Sequence, residues 1–134
     1  MVLMAWVDIY DRYGTYGFAA TDWNGAKEAA RSLIVSNLRD GNVVFTTYGD
    51  LVDELRPLID FGTPRNSVFH CLLGQISDEE EEQGRGLLSA LVVHKDDLRP
   101  GAGFYDGAES WGRDVTNSEL CWATEVKRLQ QQWA

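Results

Sequence analysis

The sequence predicts an α+β domain with a winged helix-turn-helix-like core, an aromatic N-terminal arm or hairpin, and extra C-terminal helices. Three observations predict it. Helical apolar periodicity recurs in three stretches before residue 84. A short β-branched run at 42–46 precedes the second of them, and a longer apolar run at 87–94 follows the third. Helix, short strand, helix, turn, helix, strand is the element order of a winged helix, whose third helix enters a DNA groove in binding members.

The elements are predicted in order. The arm, residues 1–23, carries Trp6, Tyr10, Tyr13, Tyr16, Phe18 and Trp23 with Gly14 and Gly17. Segments 4–10 and 15–20 read as strands of a hairpin turning near Tyr13-Gly14. Its rings either pack over a core or stack bases. Asn24 is the expected N-cap of the first helix, with Ala26, Ala30, Leu33 and Leu38 near one face. Asp40-Gly41-Asn42 ends it as a turn. Thr47, three residues before Asp50, caps the second helix in a near capping box, and Pro57 bends or ends that helix. Asn66 or Ser67 caps the third, where Phe69, Leu72, Leu73 and Ile76 follow i, i+3, i+4, i+7; Gly84 and Gly86 close it. The run 87–94 is apolar at nearly every position, which predicts a strand buried on both faces. A short helix at about 104–111 and a last helix capped by Thr116 with Glu119 complete the chain. These parts read as one domain over 1–134: arm 1–23, winged-helix-like core 24–94, loop and C-terminal helices 95–134.

Composition narrows the function. The chain has 134 residues, 44% hydrophobic, which suffices for one core. Cys71 and Cys121 form no disulfide framework and no pair of metal-ligand clusters, so neither metal nor cofactor is expected. No apolar run approaches the ~20 residues of a membrane span, and the apolar start, 1–7, has no basic residue before it as a secretory signal would. A cytoplasmic protein without membrane contact is the expectation. The net charge of −9, 21 acidic residues against 12 basic, opposes counterion release on phosphates and suits a protein partner with a basic surface.

The residues Thr47-Tyr48-Gly49-Asp50-Leu51, Leu72-Leu73-Gly74-Gln75 and Ser89-Ala90-Leu91-Val92-Val93 resemble, over roughly 43–104, the DNA-binding domain of alkylated-DNA alkyltransferases and alkyltransferase-like proteins. That family has Thr-Tyr-Gly-Glu-Leu-Ala at the first stretch and a reactive Cys-His-Arg-Val-Val at the last. The resemblance implies a nucleic-acid-binding winged helix and retains Tyr48. It places Ser89 at the nucleophilic cysteine, Ala90 at the adjacent histidine and Cys71 at the wedge arginine. Alkyl transfer needs a thiolate and an activating base, so it is not implied, and base flipping lacks its wedge. A closer resemblance, over 45–104, is to short bacterial proteins without an assigned activity. They join Thr-Tyr-Gly, a Gly-x-Ile-Ser helix, Leu-Leu-Ser-Ala-x-Val-Val and Arg-Pro-Gly-x-Gly-Phe, matched here by Thr47 to Gly49, Gly74 to Ser77, Leu87 to Val93 and Arg99 to Phe104.

Three function classes follow. The first is a non-catalytic interaction protein: an acidic regulator, inhibitor or immunity-type protein. Asp78, Glu79, Glu80, Glu81 and Glu82 are its candidate docking edge, either facing a basic partner or forming a solvated face whose charges contribute little to stability. The second binds nucleic acid through Tyr48, Arg65, Asn66, His70 and Gln75. The loop Arg99-Pro100-Gly101-Ala102-Gly103-Phe104 adds Arg99, Gly101 and Gly103 as ligand contacts, or else serves as a tight connection that seats Phe104 in the core. The third is an enzyme using His94 with Asp96 or Asp97, although no catalytic residue is assigned with it. His70 and Cys71 point about 100° apart on a helix and do not make a base–nucleophile pair.

Overall fold

The computed structural model describes residues 10–38 and 42–133. Segment 4–10 and the turn Asp40-Gly41-Asn42 lie almost wholly outside the described residues. The architecture is α+β and mostly helical: α1 (Ala20–Ser36), β1 (Thr46–Thr47), α2 (Tyr48–Leu55), α3 (Ser67–Glu82), a 3-10 turn (Leu88–Leu91), β2 (Val92–Val93), α4 (Ala102–Ser110) and α5 (Ser118–Gln132). The two strands form one parallel sheet, with Thr46 opposite Val92 and Thr47 opposite Val93. One buried cluster draws side chains from each of the five helices of the described residues and from the 3-10 turn. No helix among the described residues is long and apolar enough to cross a membrane.

Segment 15–20 is a turn leading into α1, not a strand. α1 begins at Ala20, not after an Asn24 cap, and its N-cap Ala19 offers no side-chain bond. Trp23 explains the extra turn. It is fully buried, continues the apolar row Ala26, Ala30 and Ile34 upstream, and donates its indole N–H to Gln75 Oε1 at 2.8 Å. Tyr16 and Phe18 lay their rings against it, so these arm aromatics are packing groups.

α2 starts as expected, with Thr47 Oγ1 accepting from Asp50 N. It ends at Leu55, ahead of Pro57. Asn66, rather than Ser67, caps α3, its Oδ1 accepting from Val68 N and Phe69 N. α5 begins one residue later than the Thr116 box predicts. Thr116 N is held by Asp114 Oδ1, and Asn117 Oδ1 caps Leu120 N instead.

Both expected strands shrink to two residues. Over 42–46, Val44 N bonds back to Asn37 O and Val44 is exposed, so only Thr46 reaches the ladder. In 87–94 the apolar residues Leu87, Leu88 and Ala90 to Val93 are buried while His94 is exposed, and much of the backbone is satisfied by side chains. Leu87 N donates to Glu125 Oε2, Ser89 N donates to Ser77 Oγ, and Ala90 O accepts from Trp122 Nε1. These bonds replace a neighbouring strand and let the chain coil into a 3-10 turn.

Gly86 makes the reversal after α3 possible. Its φ is +95°, and a Cβ there would sit 2.8 Å from Leu129 Cδ2. Gly86→Ala is expected to lower the stability by about 1–3 kcal/mol, read as a reduced denaturation midpoint at unchanged m-value.

Candidate functional site

Tyr48 is the centre of the one place where several predicted site residues meet. It is the first residue of α2 and is 5% exposed. His70 of α3 packs on its ring at 5.0 Å and His94, after β2, at 4.8 Å. The Tyr48 hydroxyl accepts from Gly101 N at 2.8 Å. Burial raises the pKa of this phenol and keeps it neutral. The fit at Gly101 is close: a Cβ would lie 3.0 Å from His94 Nε2 and 3.3 Å from the Tyr48 hydroxyl, so those side chains would have to give way to accommodate it. The loop then delivers Phe104, 3% exposed, into the core.

Two adjoining cavities open beneath this cluster. A small one of about 20 Å³ touches Tyr48 and His70. A larger one of about 140 Å³ runs between α3 and α4. Gly74, Ser89, Gly103 and Phe104 border both. Asp106, Gly107 and Ser110, at the larger cavity, are not among the residues that the sequence singles out, and Ser77 enters there only as the end of the Gly-x-Ile-Ser match. A signal existed: Gly103, Gly107 and Ser110 are small residues at i, i+4, i+7, facing Gly74 and Ser77 at i, i+3.

The other candidates separate. Gln75 is 1% exposed and its amide is spent internally: besides the Trp23 bond, Nε2 donates to Asp11 O and Gly14 O at 2.7 Å each. It is a clamp on the arm and has no group to offer a base edge. Asn66 is committed as a cap and donates Nδ2 to Phe61 O. Arg65 is exposed in the turn before α3. Arg99 pairs with Glu119 and is about half exposed. Cys71, at the wedge position of the resemblance, is fully buried. His94 and its neighbours Asp96 and Asp97 are exposed, and Asp97 Oδ1 is taken by Arg99 N. Among the described residues no group of three or more His, Cys, Asp or Glu is placed to hold a metal ion.

The acidic run is tied inward. Glu79 meets Lys27 Nζ at 2.5 Å and Arg31 Nη2 at 2.8 Å. Glu80, 2% exposed, lies between Arg31 Nε at 2.9 Å and Arg85 Nε at 2.5 Å. Glu81 takes both Nη atoms of Arg113, whose Nε holds Glu125 at 3.0 Å. Glu81 first, and Glu125 after it, push the Arg113 pKa further up. Glu82 pairs with Arg12 while remaining half exposed. Asp78 differs: its partners are neutral, Trp111 Nε1 at 2.7 Å and the Tyr10 hydroxyl. The run is thus a set of tertiary contacts, not the solvated face that sequence alone allows.

Comparison with known proteins adds little to this geometry. No family model matches the chain, and no solved structure matches it. A glutamyl-tRNA(Gln) amidotransferase component from Halobacterium salinarum, in two strains, is 33% identical over 76 residues. The matched stretch is 57% of this chain, which spans 17% of the length of those relatives.

Two outcomes follow from these contacts. Glu80→Gln is expected to cost about 1–3 kcal/mol, since it leaves two guanidinium groups around a buried neutral amide, whereas Glu82→Gln costs under about 1 kcal/mol. Parallel denaturant titrations of the two variants check this. His70 supplies a pH dependence. Its Nε2 donates to Pro64 O at 2.8 Å. Burial lowers its pKa, the Pro64 carbonyl opposes this, and His94 lowers it further. A folded-state pKa below the unfolded value of about 6.5 means that the unfolded chain binds the proton more readily. The His70 contribution is therefore complete above about pH 6.5 and is lost as the pH falls through the folded-state pKa. The unfolding free energy is expected to drop between pH 7.5 and 5, and to drop less in His70→Gln.

Proposed function

We propose that this chain is a non-catalytic interaction protein, an acidic regulator, inhibitor or immunity-type protein that covers a basic surface of a protein partner. It does so on a winged-helix-like core in which α2 and α3 form the helix-turn-helix. The core assignment is supported by the order of these elements and by the single sheet joining β1 and β2.

The observation that carries the functional reading is where the cations point. Among the described residues, Arg12, Lys27, Arg31, Arg56, Arg85, Arg99 and Arg113 are engaged by carboxylates of this same chain, whereas Arg65, Lys95, Lys127 and Arg128 are exposed and make no ion pair there. Asp50, Glu54, Asp96, Asp97, Asp106 and Glu109 are exposed and make no ion pair among the described residues. The outward field is acidic, which repels phosphate and speeds association with a basic protein. The nucleic-acid alternative is weakened further because Gln75 and Tyr48 are buried. The amidotransferase component matches over too little of its own length to lend this chain its activity.

Duplex DNA binding tests the choice. The affinity is expected to be weaker than the roughly 10⁻⁴ to 10⁻⁶ M of non-specific DNA binders at physiological salt. Fluorescence anisotropy with a labelled duplex, repeated across salt concentrations, measures it. Micromolar, salt-sensitive binding overturns the reading in favour of a nucleic-acid-binding winged helix.

A further inference from the structure

The cavity between α3 and α4 has the size and polarity of a receptor for one side chain. Its volume is about 140 Å³, whereas pockets for drug-sized molecules run from about 300 to 1,000 Å³. A nucleotide does not fit. Its inner walls are small or apolar: Gly74 from α3, Gly103 and Gly107 from α4, with Leu87 and Phe104. Two carboxylates border it, Asp78 and Asp106, and no Lys or Arg lines it among the described residues. Asp78 is the one member of the acidic run with no ion pair there; neutral donors hold both its oxygens. The Arg12 charge acts on Asp78 from beyond contact distance, and a partly buried carboxylate that no cation touches attracts one more strongly than a solvated carboxylate does.

We propose that this cavity receives one lysine or arginine side chain of the protein partner. The aliphatic stem lies against Leu87 and Phe104, and the cation sits between Asp106 and Asp78. This rests on the reading of a basic partner and names the group that the partner inserts.

The test uses the full ¹⁵N-labelled chain and four probes: n-butylammonium, n-butylguanidinium, butyrate and 1-butanol. The two cations are expected to give saturable shifts, at millimolar concentration, of the Trp111 indole and of the Gly103 and Gly107 amides. Trp111 reports because its N–H bonds Asp78. Asp106→Asn is expected to weaken the cations about two- to fivefold. Gly107→Leu is expected to abolish the shifts. Its Cβ meets nothing within 4 Å, so the added side chain occupies space rather than displacing the fold. Absence of saturable shifts, or an equal response to butyrate or 1-butanol, overturns the cavity assignment. A tetralysine peptide run alongside separates the two claims. If it binds and leaves these resonances unmoved, the cavity is refuted and the basic partner stands. If it does not bind either, both fall.

Discussion

The C-terminal half of α3 carries five consecutive carboxylates, and much of the fold is arranged to compensate them. Negative charge at a helix C-terminus opposes the helix dipole, and like charges in sequence repel. Cations arrive from other parts of the chain to offset this. Lys27 and Arg31 come from α1, Arg85 from the reversal, Arg113 from the segment after α4, and Arg12 from the arm. Glu125 of α5 joins through Arg113 and also accepts from Leu87 N. One helix end thereby links the arm, α1, the reversal, the 3-10 turn and α5. Loss of a member in the buried part of this network leaves its partners desolvated and unpaired, which is why its position matters more than its charge.

The same arrangement shapes the surface. Drawing cations inward leaves carboxylates as the main unpaired charge outside. A protein most of whose described arginines serve its own carboxylates has few left for phosphates. Asp78 completes the picture from the other side. It makes no ion pair among the described residues, although the Arg12 charge acts on it from a distance, and it sits at the edge of a cavity walled by small residues of two helices.

The candidate site depends on a second constraint, the close approach of the Gly101 backbone to Tyr48. A phenol whose hydroxyl is held by a backbone N–H, and whose ring is flanked by two tilted imidazoles, fixes the loop from Arg99 to Phe104 against α2 and α3. That contact sets the position of α4, and so the width of the cavity between α3 and α4.

Several features were legible in the sequence alone. Thr47 and Asn66 were readable as caps because capping depends on residues three or fewer positions apart. The α2–turn–α3 order was readable for the same reason, and the loop from Arg99 was readable as a connection that seats Phe104 in the core. Tertiary structure decided the rest. The run 87–94 has the composition of a strand, but side chains from α3 and α5 supply its hydrogen bonds, and no local pattern reveals that. Gln75 looks like a polar residue on a recognition helix until Trp23 and the arm close over it. The acidic run reads as solvated because, Arg85 apart, its cations lie far away in sequence, at Arg12, Lys27, Arg31 and Arg113. Local periodicity and capping are short-range and so are written in neighbouring residues; charge pairing and backbone satisfaction are long-range, and only the folded chain brings their partners together.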